Sequence, residues 1–245
     1  MDKKGIEDNF LYEQYYWWFQ GRRRIVRNLI KKFFKGNKQS FVLDAGCGTG
    51  IVLKDLEDIA TPVGIDYSKA ALNYTKQRIN HIRLLCGDIC NLPFKNNSFD
   101  MITILGVLYH KGVVNDDIAI KESFRVLKRG GILIIDEAAY NFLQSKHNLS
   151  VGGIRRFNRK QLINKVGKYS VKILKASYWN ILMFPIFYLV VKMEGKCFSN
   201  KQYSKLTKIP NIVNCMLIKY LYTEAILLNY ISIPFGPSLI IVARK

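Results

Sequence analysis

Residues 41–50 read FVLDAGCGTG, and this stretch decides how the chain begins its fold. Phe41–Leu43 form an apolar run that predicts a short buried strand. Asp44 and the three alternate glycines after it predict a tight turn that opens onto a helix at Ile51. Glycine has no Cβ, so this turn lets a ligand approach the backbone, and the helix N-terminus offers N–H groups to a polar or anionic group. A dinucleotide loop of the G-x-G-x-x-G type would need a third glycine at position 51.

Short apolar strands alternate with amphipathic helices after this loop. Such alternation indicates a mainly parallel sheet covered by helices on both faces, an α/β fold whose ligands bind beyond the carboxyl ends of the strands. The polar residues at strand ends are therefore expected to meet at one edge. The predicted strands are 41–45, 62–65, 82–86, 99–105, 132–135, 169–179 and 238–245, and the predicted helices after the first strand are 50–59, 69–79 with Ser68 as N-cap, 116–127 and 157–166.

The chain of 245 residues has a formal net charge of +20. Such an excess indicates a polyanionic partner, namely nucleic acid, an anionic membrane or a phosphorylated substrate, although lysine-rich coding alone gives the same balance. Five scattered cysteines without a C-x-x-C pair predict neither a disulfide framework nor a metal site and favour a reducing, cytoplasmic location. The first ten residues lack the apolar core of a signal peptide.

Aromatic residues crowd the segment that precedes the first strand. Residues 15–24 read YYWWFQGRRR, and residues 22–34 have apolar positions at a helical period with basic residues between them. This pattern predicts an amphipathic helix. The aromatic rings either pack that helix onto the sheet or form a lid, in which Tyr15–Phe19 exclude water from a ligand pocket.

Several motifs, in this order along the chain, resemble those of class I S-adenosylmethionine-dependent methyltransferases of the type 11 subgroup. The resemblance implies a Rossmann-like fold with a mostly parallel seven-stranded sheet, and S-adenosyl-L-methionine as cofactor. The motifs are VLDAGCGTG at 42–50, Asp66 at the end of the second strand, GDICNLPF around Asp88, FDMITILGVLYH at 99–110 and VLKRGGILII at 126–135.

The same resemblance assigns roles to the strand-end residues. Asp66 would accept hydrogen bonds from the ribose hydroxyls, and Asp88 with the residue after it would hold the adenine, since charge-assisted hydrogen bonds are the strong ones. The glycine loop would pass beside the methionine moiety, and Asp44 would order that loop more than touch the cofactor. The implied cofactor-binding residues are Asp44, Gly46, Cys47, Gly48, Asp66, Tyr67, Asp88, Ile89 and Leu105.

Narrower matches at 17–23, 137–148, 155–162 and 232–245 resemble one branch of this family. Genes of that branch often adjoin those for glycosyltransferases and lipid-linked sugar assembly, which implies a glycan, lipid-linked or other small acceptor.

Methyl transfer needs a base only if the acceptor atom starts protonated. The first candidate is His110, which follows the fourth strand where the acceptor should lie, and the second is Tyr109. Glu137 and His147 are further candidates near the ends of the fourth and fifth strands.

Two other functions stay open at this point. An RNA methyltransferase fits the charge and the tyrosine-rich opening, but GVLYH stands after the fourth strand in place of an (N/D)PP(Y/F) run. The second alternative is a module that binds the cofactor without catalysis and is attached to a membrane surface. The intact glycine loop with Asp66 and Asp88 argues against lost cofactor binding.

The segment between the last two strands is longer than the fold needs. Residues 181–193 read ILMFPIFYLVVKM, which is shorter than the roughly twenty apolar residues of a membrane span and is interrupted by Pro185. A second apolar helix is predicted over 212–230. Either this hairpin caps the pocket, or it lies on an anionic membrane beside the five lysines of 192–208. The expected domains are 1–39, an aromatic and basic cap helix; 40–179, the core; 180–234, a helical insertion; and 235–245, the final strand.

Overall fold

The computed structural model describes residues 3–197 and 209–245. Its seven strands form one sheet, in which all strands are parallel except the last one along the chain. The strands are β1 (Phe41–Ala45), β2 (Thr61–Asp66), β3 (Arg83–Cys86), β4 (Phe99–Leu105), β5 (Leu127–Ala138), β6 (Lys172–Trp179) and β7 (Ser238–Arg244). Their order is β3-β2-β1-β4-β5-β7-β6, and β7 runs antiparallel to both neighbours. This confirms the predicted α/β class and the mostly parallel seven-stranded sheet.

Helices cover both faces of the sheet. They are α1 (Lys3–Tyr12), α2 (Trp17–Phe33), α3 (Ile51–Leu56), α4 (Lys69–Arg78), α5 (Asp116–Val126), α6 (Lys146–Ser150), α7 (Arg159–Gly167), α8 (Met183–Cys197) and α9 (Asn211–Leu227). The predicted N-cap of α4 is confirmed, because Ser68 Oγ accepts the Ala71 N–H at 3.2 Å.

Several predicted boundaries are wrong, mostly by a few residues. Helix α2 begins at Trp17 and not at 22, so part of the aromatic segment lies inside the helix, with Trp17 and Phe19 buried. Strand β5 begins at Leu127 and not at 132. The residues predicted to form a turn belong to the strand, and Leu127 pairs with Phe99 of β4. Pro185 does not interrupt the apolar run; it lies in the first turn of α8, where the backbone N–H has no helical partner in any case.

Smaller boundary errors occur at four other predicted elements. Helix α3 ends at Leu56 instead of 59, helix α7 spans Arg159–Gly167 instead of 157–166, and strand β6 begins at Lys172 instead of 169. Helix α9 ends at Leu227 instead of 230. Helix ends depend on local capping hydrogen bonds more than on hydrophobic periodicity. Boundaries predicted from periodicity are therefore accurate only to within a few residues.

The apolar insertion divides into two parts with different surroundings. Helix α9 packs along α2, closely enough that a Cβ on Gly21 would lie 2.1 Å from Cδ1 of Leu221. Buried Glu224 accepts the backbone N–H groups of Asn180 and Ile181, which ties α9 to the chain that leaves β6. Helix α8 instead leaves most of its apolar side chains in solvent.

Within the described ranges, every helix falls short of the length and apolar character that crossing a bilayer requires. Of the five lysines predicted to flank the insertion, Lys192 lies in α8. The side chains of Lys196, Lys201, Lys205 and Lys208 lie outside the described residues.

Candidate functional site

The glycine loop leaves β1 at the carboxyl edge of the sheet and is held from behind. The N–H groups of Gly46 and Cys47 both donate to the carbonyl of Ile65, at 2.8 and 3.0 Å. Gly46 has φ +87°, and a Cβ there would lie 2.4 Å from Cγ2 of Val107. Gly48 has φ +55°, and a Cβ there would meet no atom within 4 Å. The loop is therefore packed on one side and open in front of Gly48.

Two acids lie at this carboxyl edge of the sheet: Asp66 ends β2, and Asp88 comes two residues after β3. Asp66 accepts the Gly48 N–H through Oδ2 and the Ser68 N–H through Oδ1, both at 2.8 Å. Asp88 accepts the Cys90 N–H through Oδ1 at 2.8 Å. An ionised carboxylate has about four lone-pair sites, so both acids keep acceptor capacity for hydroxyl or amino groups of a ligand.

The remaining predicted cofactor residues lie around these two acids at different depths. Asp44 is buried and accepts the Thr103 hydroxyl at 2.7 Å, so its carboxylate links β1 to β4. Cys47 is buried, and this burial raises the pKa of its thiol. The side chains of Ile89 and Leu105 are buried in the core, whereas Tyr67 is 79% exposed at the rim.

Arg22 is a site residue that the sequence analysis did not single out. A Cβ on Gly106, the residue after β4, would lie 3.1 Å from Nη1 of Arg22. Its guanidinium also stands over the Trp18 ring at 4.6 Å. Burial raises the pKa of Asp44 and of Asp136 to about 6, and the charge of Arg22 opposes that rise. Arg22 Nε is buried and has no hydrogen-bond partner in the described part of the chain. A buried unpaired donor on a cation is costly, which makes Arg22 a candidate to bind an anionic group.

A buried ion pair fixes the N-terminal segment onto the glycine loop. Glu13, in the turn between α1 and α2, accepts the Thr49 hydroxyl and lies 3.2 Å from Nη2 of Arg78. The side chains of Glu13 and Arg78 are 9% and 3% exposed. The turn between α1 and α2 is therefore anchored to the glycine loop at Thr49 and to α4 at Arg78.

The turn after β4 is held by a carboxylate from β5. Glu137 accepts the N–H groups of Val107 and Leu108 through Oε1, at 2.9 and 2.7 Å, and of Tyr109 through Oε2 at 3.2 Å. Burial raises the pKa of Glu137 to about 8, and the three N–H donors oppose that rise. Because both oxygens face the backbone, Glu137 orients the turn that presents Tyr109.

Tyr109 and His110, the two candidate catalytic residues, differ in their surroundings. The ring of Tyr109 packs against Gly153, and the pKa of its phenol is raised by burial and by Glu137, while Arg22 and Arg156 act in the opposite direction. His110 Nδ1 accepts the Gly112 N–H at 3.0 Å, and burial lowers its pKa. His147 lies in α6, in the segment after β5. Among the described residues, His, Cys, Asp and Glu do not gather into groups of three or more that could hold a metal ion.

Neither Arg22 nor Glu13 belongs to a sequence motif whose spacing predicts contact with a ligand. The signal that could have found them is the opening WWF-x-GRR together with the aromatic lid hypothesis, since both place this segment near the pocket. The particular arginine that turns inward depends on how α2 crosses the sheet, which a single sequence does not give.

Asp136 provides a pH test of burial at this edge. Burial raises its pKa from 3.8 to about 6, although Arg22 and the Trp179 indole N–H, which donates to Oδ1 at 2.6 Å, lower it. A raised folded-state pKa means that the carboxyl stabilises the fold fully only below pH 4 and loses that contribution as pH rises to 6. We therefore expect Asp136→Asn to match wild type near pH 4 and to gain up to about 3 kcal/mol of unfolding free energy above pH 6.

Urea denaturation of both proteins at pH 4 and pH 7 measures this difference. If the difference in unfolding free energy between the two proteins were the same at both pH values, the pKa of Asp136 would not be raised by folding.

Comparison with known proteins bears on the part of the chain that builds this site. Residues 43–135 match the family model described as a methyltransferase domain. An uncharacterized protein of Methanocaldococcus jannaschii is 37% identical over 108 residues, which cover 44% of this chain and 45% of that protein. A demethylmenaquinone methyltransferase of Staphylococcus aureus is 34% identical over 135 residues, 52% of each chain. The matched region thus spans about half the length of these relatives.

A solved S-adenosylmethionine-dependent methyltransferase of Archaeoglobus fulgidus has the same fold. It superposes with a TM-score of 0.55 at 18% sequence identity, over 96% of this chain and 98% of that one. The matched residues hold the glycine loop, Asp66 and Asp88. Residues 43–135 are therefore similar to a methyltransferase domain, and the chain has the fold of a solved S-adenosylmethionine-dependent methyltransferase.

Proposed function

We propose that this protein transfers a methyl group from S-adenosyl-L-methionine to a small-molecule, glycan or lipid-linked acceptor by in-line displacement. The observation that carries the proposal is the glycine loop at the carboxyl edge of the sheet, which is open in front of Gly48 and whose Gly48 N–H is bound by Asp66. Arg22, whose buried Nε is unpaired among the described residues, lies next to Gly106 at the same edge. S-adenosyl-L-methionine has ribose hydroxyls, which can donate hydrogen bonds to Asp66. It also has a carboxylate, which can accept hydrogen bonds from the guanidinium of Arg22. The demethylmenaquinone methyltransferase among the relatives supports a small-molecule acceptor.

Side chains at the carboxyl edge of the sheet can form hydrogen bonds or ion pairs with each part of the donor. Asp66 would take the ribose hydroxyls, and Asp88 with Ile89 would take the adenine, as their places after β2 and β3 allow. Arg22 would take the carboxylate of the methionine moiety. The donor supplies an activated methyl on a sulfonium; the protein aligns the acceptor with it and excludes water.

Tyr109 is the residue that we assign to the acceptor. It lies on the turn after β4, oriented by Glu137, with the cations of Arg22 and Arg156 near its phenol. Because its pKa is raised, the phenol keeps its proton at neutral pH and can donate a hydrogen bond that orients the acceptor. His110 could act as a base only if its Nδ1 gave up the Gly112 N–H, so we assign it to shaping the turn.

Calorimetry with S-adenosylmethionine and S-adenosylhomocysteine tests the donor site, with NAD as the control nucleotide. We expect both sulfur nucleotides to bind and NAD not to bind. Absence of binding by the two sulfur nucleotides would overturn the proposal.

Transfer from tritiated donor into a cell extract then tests Tyr109. We expect Tyr109→Phe to lower turnover about tenfold or more, because a positioning hydrogen bond is lost, while donor affinity stays unchanged. We expect His110→Ala to have a smaller effect. A larger loss of turnover in His110→Ala than in Tyr109→Phe, at equal donor affinity, would reverse the two assignments.

A further inference from the structure

Helix α8 presents apolar side chains to solvent on every side. Five consecutive residues, 186–190, are all exposed, including Ile186 at 52% and Leu189 at 56%. Successive helical residues are turned by about 100°, so five in a row cover the whole circumference of the helix. A helix on the surface of a water-soluble domain has one apolar stripe that faces the core, and α8 departs from this pattern.

The base of α8 stands at the edge of the sheet where the candidate site opens. The ring of Phe184 contacts those of Tyr140 and Phe235, with centroids 5.9 and 5.5 Å apart, and Tyr140 follows β5 by two residues. Tyr188 contacts Phe142 in the same cluster, at 6.2 Å. The apolar helix is therefore attached to the rim that carries the residues after β5.

The segment between β5 and α7 adds exposed apolar side chains to the same rim. Phe142, Leu149 and Ile154 are each more than half exposed. The backbone N–H of Ile154 donates to the carbonyl of Tyr109 at 2.9 Å, which places this segment directly beside the turn assigned to the acceptor. An apolar surface thus adjoins the place where the acceptor would enter.

The charge of the chain indicates what covers this surface. Residues 192–208 hold five lysines and one glutamate, and they follow the apolar run directly in the sequence. Each such cation near an anionic bilayer contributes about 1 kcal/mol of attraction. A second copy of the chain carries the same net charge of +20, and the two molecules would repel.

The length of α8 limits how it can meet a bilayer. Fifteen residues make a helix about 22 Å long, shorter than the hydrocarbon core of about 30 Å. A helix of this length with apolar residues all round can lie within the interface without spanning the membrane.

We propose that the apolar surface of α8 docks the protein on an anionic lipid bilayer, and that the acceptor is a lipid-borne molecule reaching the site from that surface. The second part rests on the proposed methyl transfer, whereas the docking does not. The docked rim places the turn of Tyr109 at the level of the lipid headgroups, where the polar end of such an acceptor lies.

Flotation with phosphatidylcholine vesicles, with and without phosphatidylglycerol, tests the docking. We expect binding only to the anionic vesicles, weakened by salt, and a loss of about tenfold or more in the double variant Ile186→Asp/Leu189→Asp. The matched control is Phe41→Asp, at the opposite edge of the sheet, where Arg83 lies over the ring and can pair with the new carboxylate. This control should float like wild type.

Three results would overturn the docking. They are no flotation of wild type with anionic vesicles at low salt, equal flotation of the double variant, and a wild-type dimer by light scattering that the double variant abolishes. Calorimetry with S-adenosylmethionine on the same variants keeps the two proposals apart, because the double variant should retain wild-type donor affinity. A wild type that floats but does not bind the donor would sink the methyl transfer and leave the docking in place.

Transfer from tritiated donor to vesicles of total lipid from the source cells tests the acceptor. We expect label in the chloroform-extractable product, reduced in the double variant and unchanged in Phe41→Asp. Label found only in water-soluble product would overturn the lipid-borne acceptor.

Discussion

Gly48→Ala is expected to lower the affinity for S-adenosylmethionine at least about 100-fold while the protein stays folded. Position 48 has φ +55°, so alanine there costs about 1–2 kcal/mol of backbone strain. Its methyl group meets no protein atom and projects into the open space in front of the loop, where the donor would lie against the backbone. Calorimetry gives the affinity, and urea denaturation gives the stability.

Gly130→Ala is the matched control for this experiment. Gly130 also has positive φ, +78°, and also has nothing within 4 Å of an added Cβ, but it lies in the turn before position 132, at the opposite edge of the sheet. We expect the two variants to lose similar stability and only Gly48→Ala to lose donor binding. Wild-type affinity in Gly48→Ala would show that the donor does not pass in front of this loop.

Arg22→Met is expected to weaken binding of S-adenosylmethionine and S-adenosylhomocysteine by about 30- to 150-fold. Hydrogen bonds to charged groups contribute about 2–3 kcal/mol, and the buried Arg22 Nε has no partner within the described ranges until a ligand supplies one. Methionine keeps an apolar stem of similar length but lacks the guanidinium that stands over Trp18, so the loss should come from the guanidinium. Calorimetry measures the affinities.

5′-Methylthioadenosine makes this prediction specific to the carboxylate. It keeps the adenosine and the sulfur but lacks the amino-acid moiety, so Arg22→Met should leave its affinity unchanged. Arg27→Met, on the same helix and in an exposed pair with Asp58, should leave all three ligands unaffected. An equal loss for 5′-methylthioadenosine would show that Arg22 supports the pocket as a whole and does not bind the carboxylate.

Much of the fold could be predicted from the sequence because strands and helices of this kind have strong local signals. The run Phe41–Leu43 is apolar at every position, as strands buried on both faces are, and the glycines after it require a turn. Asp66 and Asp88 could be placed at one edge because parallel strands end together. The prediction was weaker at connections, where capping bonds and ladders decide the boundary, as at the start of β5.

Only the positions of the strand-end acids in the candidate site could be predicted from the sequence. Asp66 and Asp88 lie at one edge of the sheet, but the sequence did not show that Asp66 also binds the Gly48 N–H, or that Glu137 uses both oxygens to hold the turn after β4. These contacts join strands that are far apart in the chain. Each depends on strand register and on which rotamer the neighbours allow.

The sequence by itself determined the sheet, the glycine loop and the acids at the strand ends, because period, turn chemistry and strand direction are local properties of the chain. Only the tertiary structure decided that Arg22 lies next to Gly106, that Glu13 contacts the loop through Thr49 and pairs with Arg78, and that α9 is packed while α8 is exposed. These outcomes depend on how α2 and α9 cross the sheet. Crossing geometry follows from side-chain packing between distant segments, and the hydrophobic period of either helix alone does not specify it.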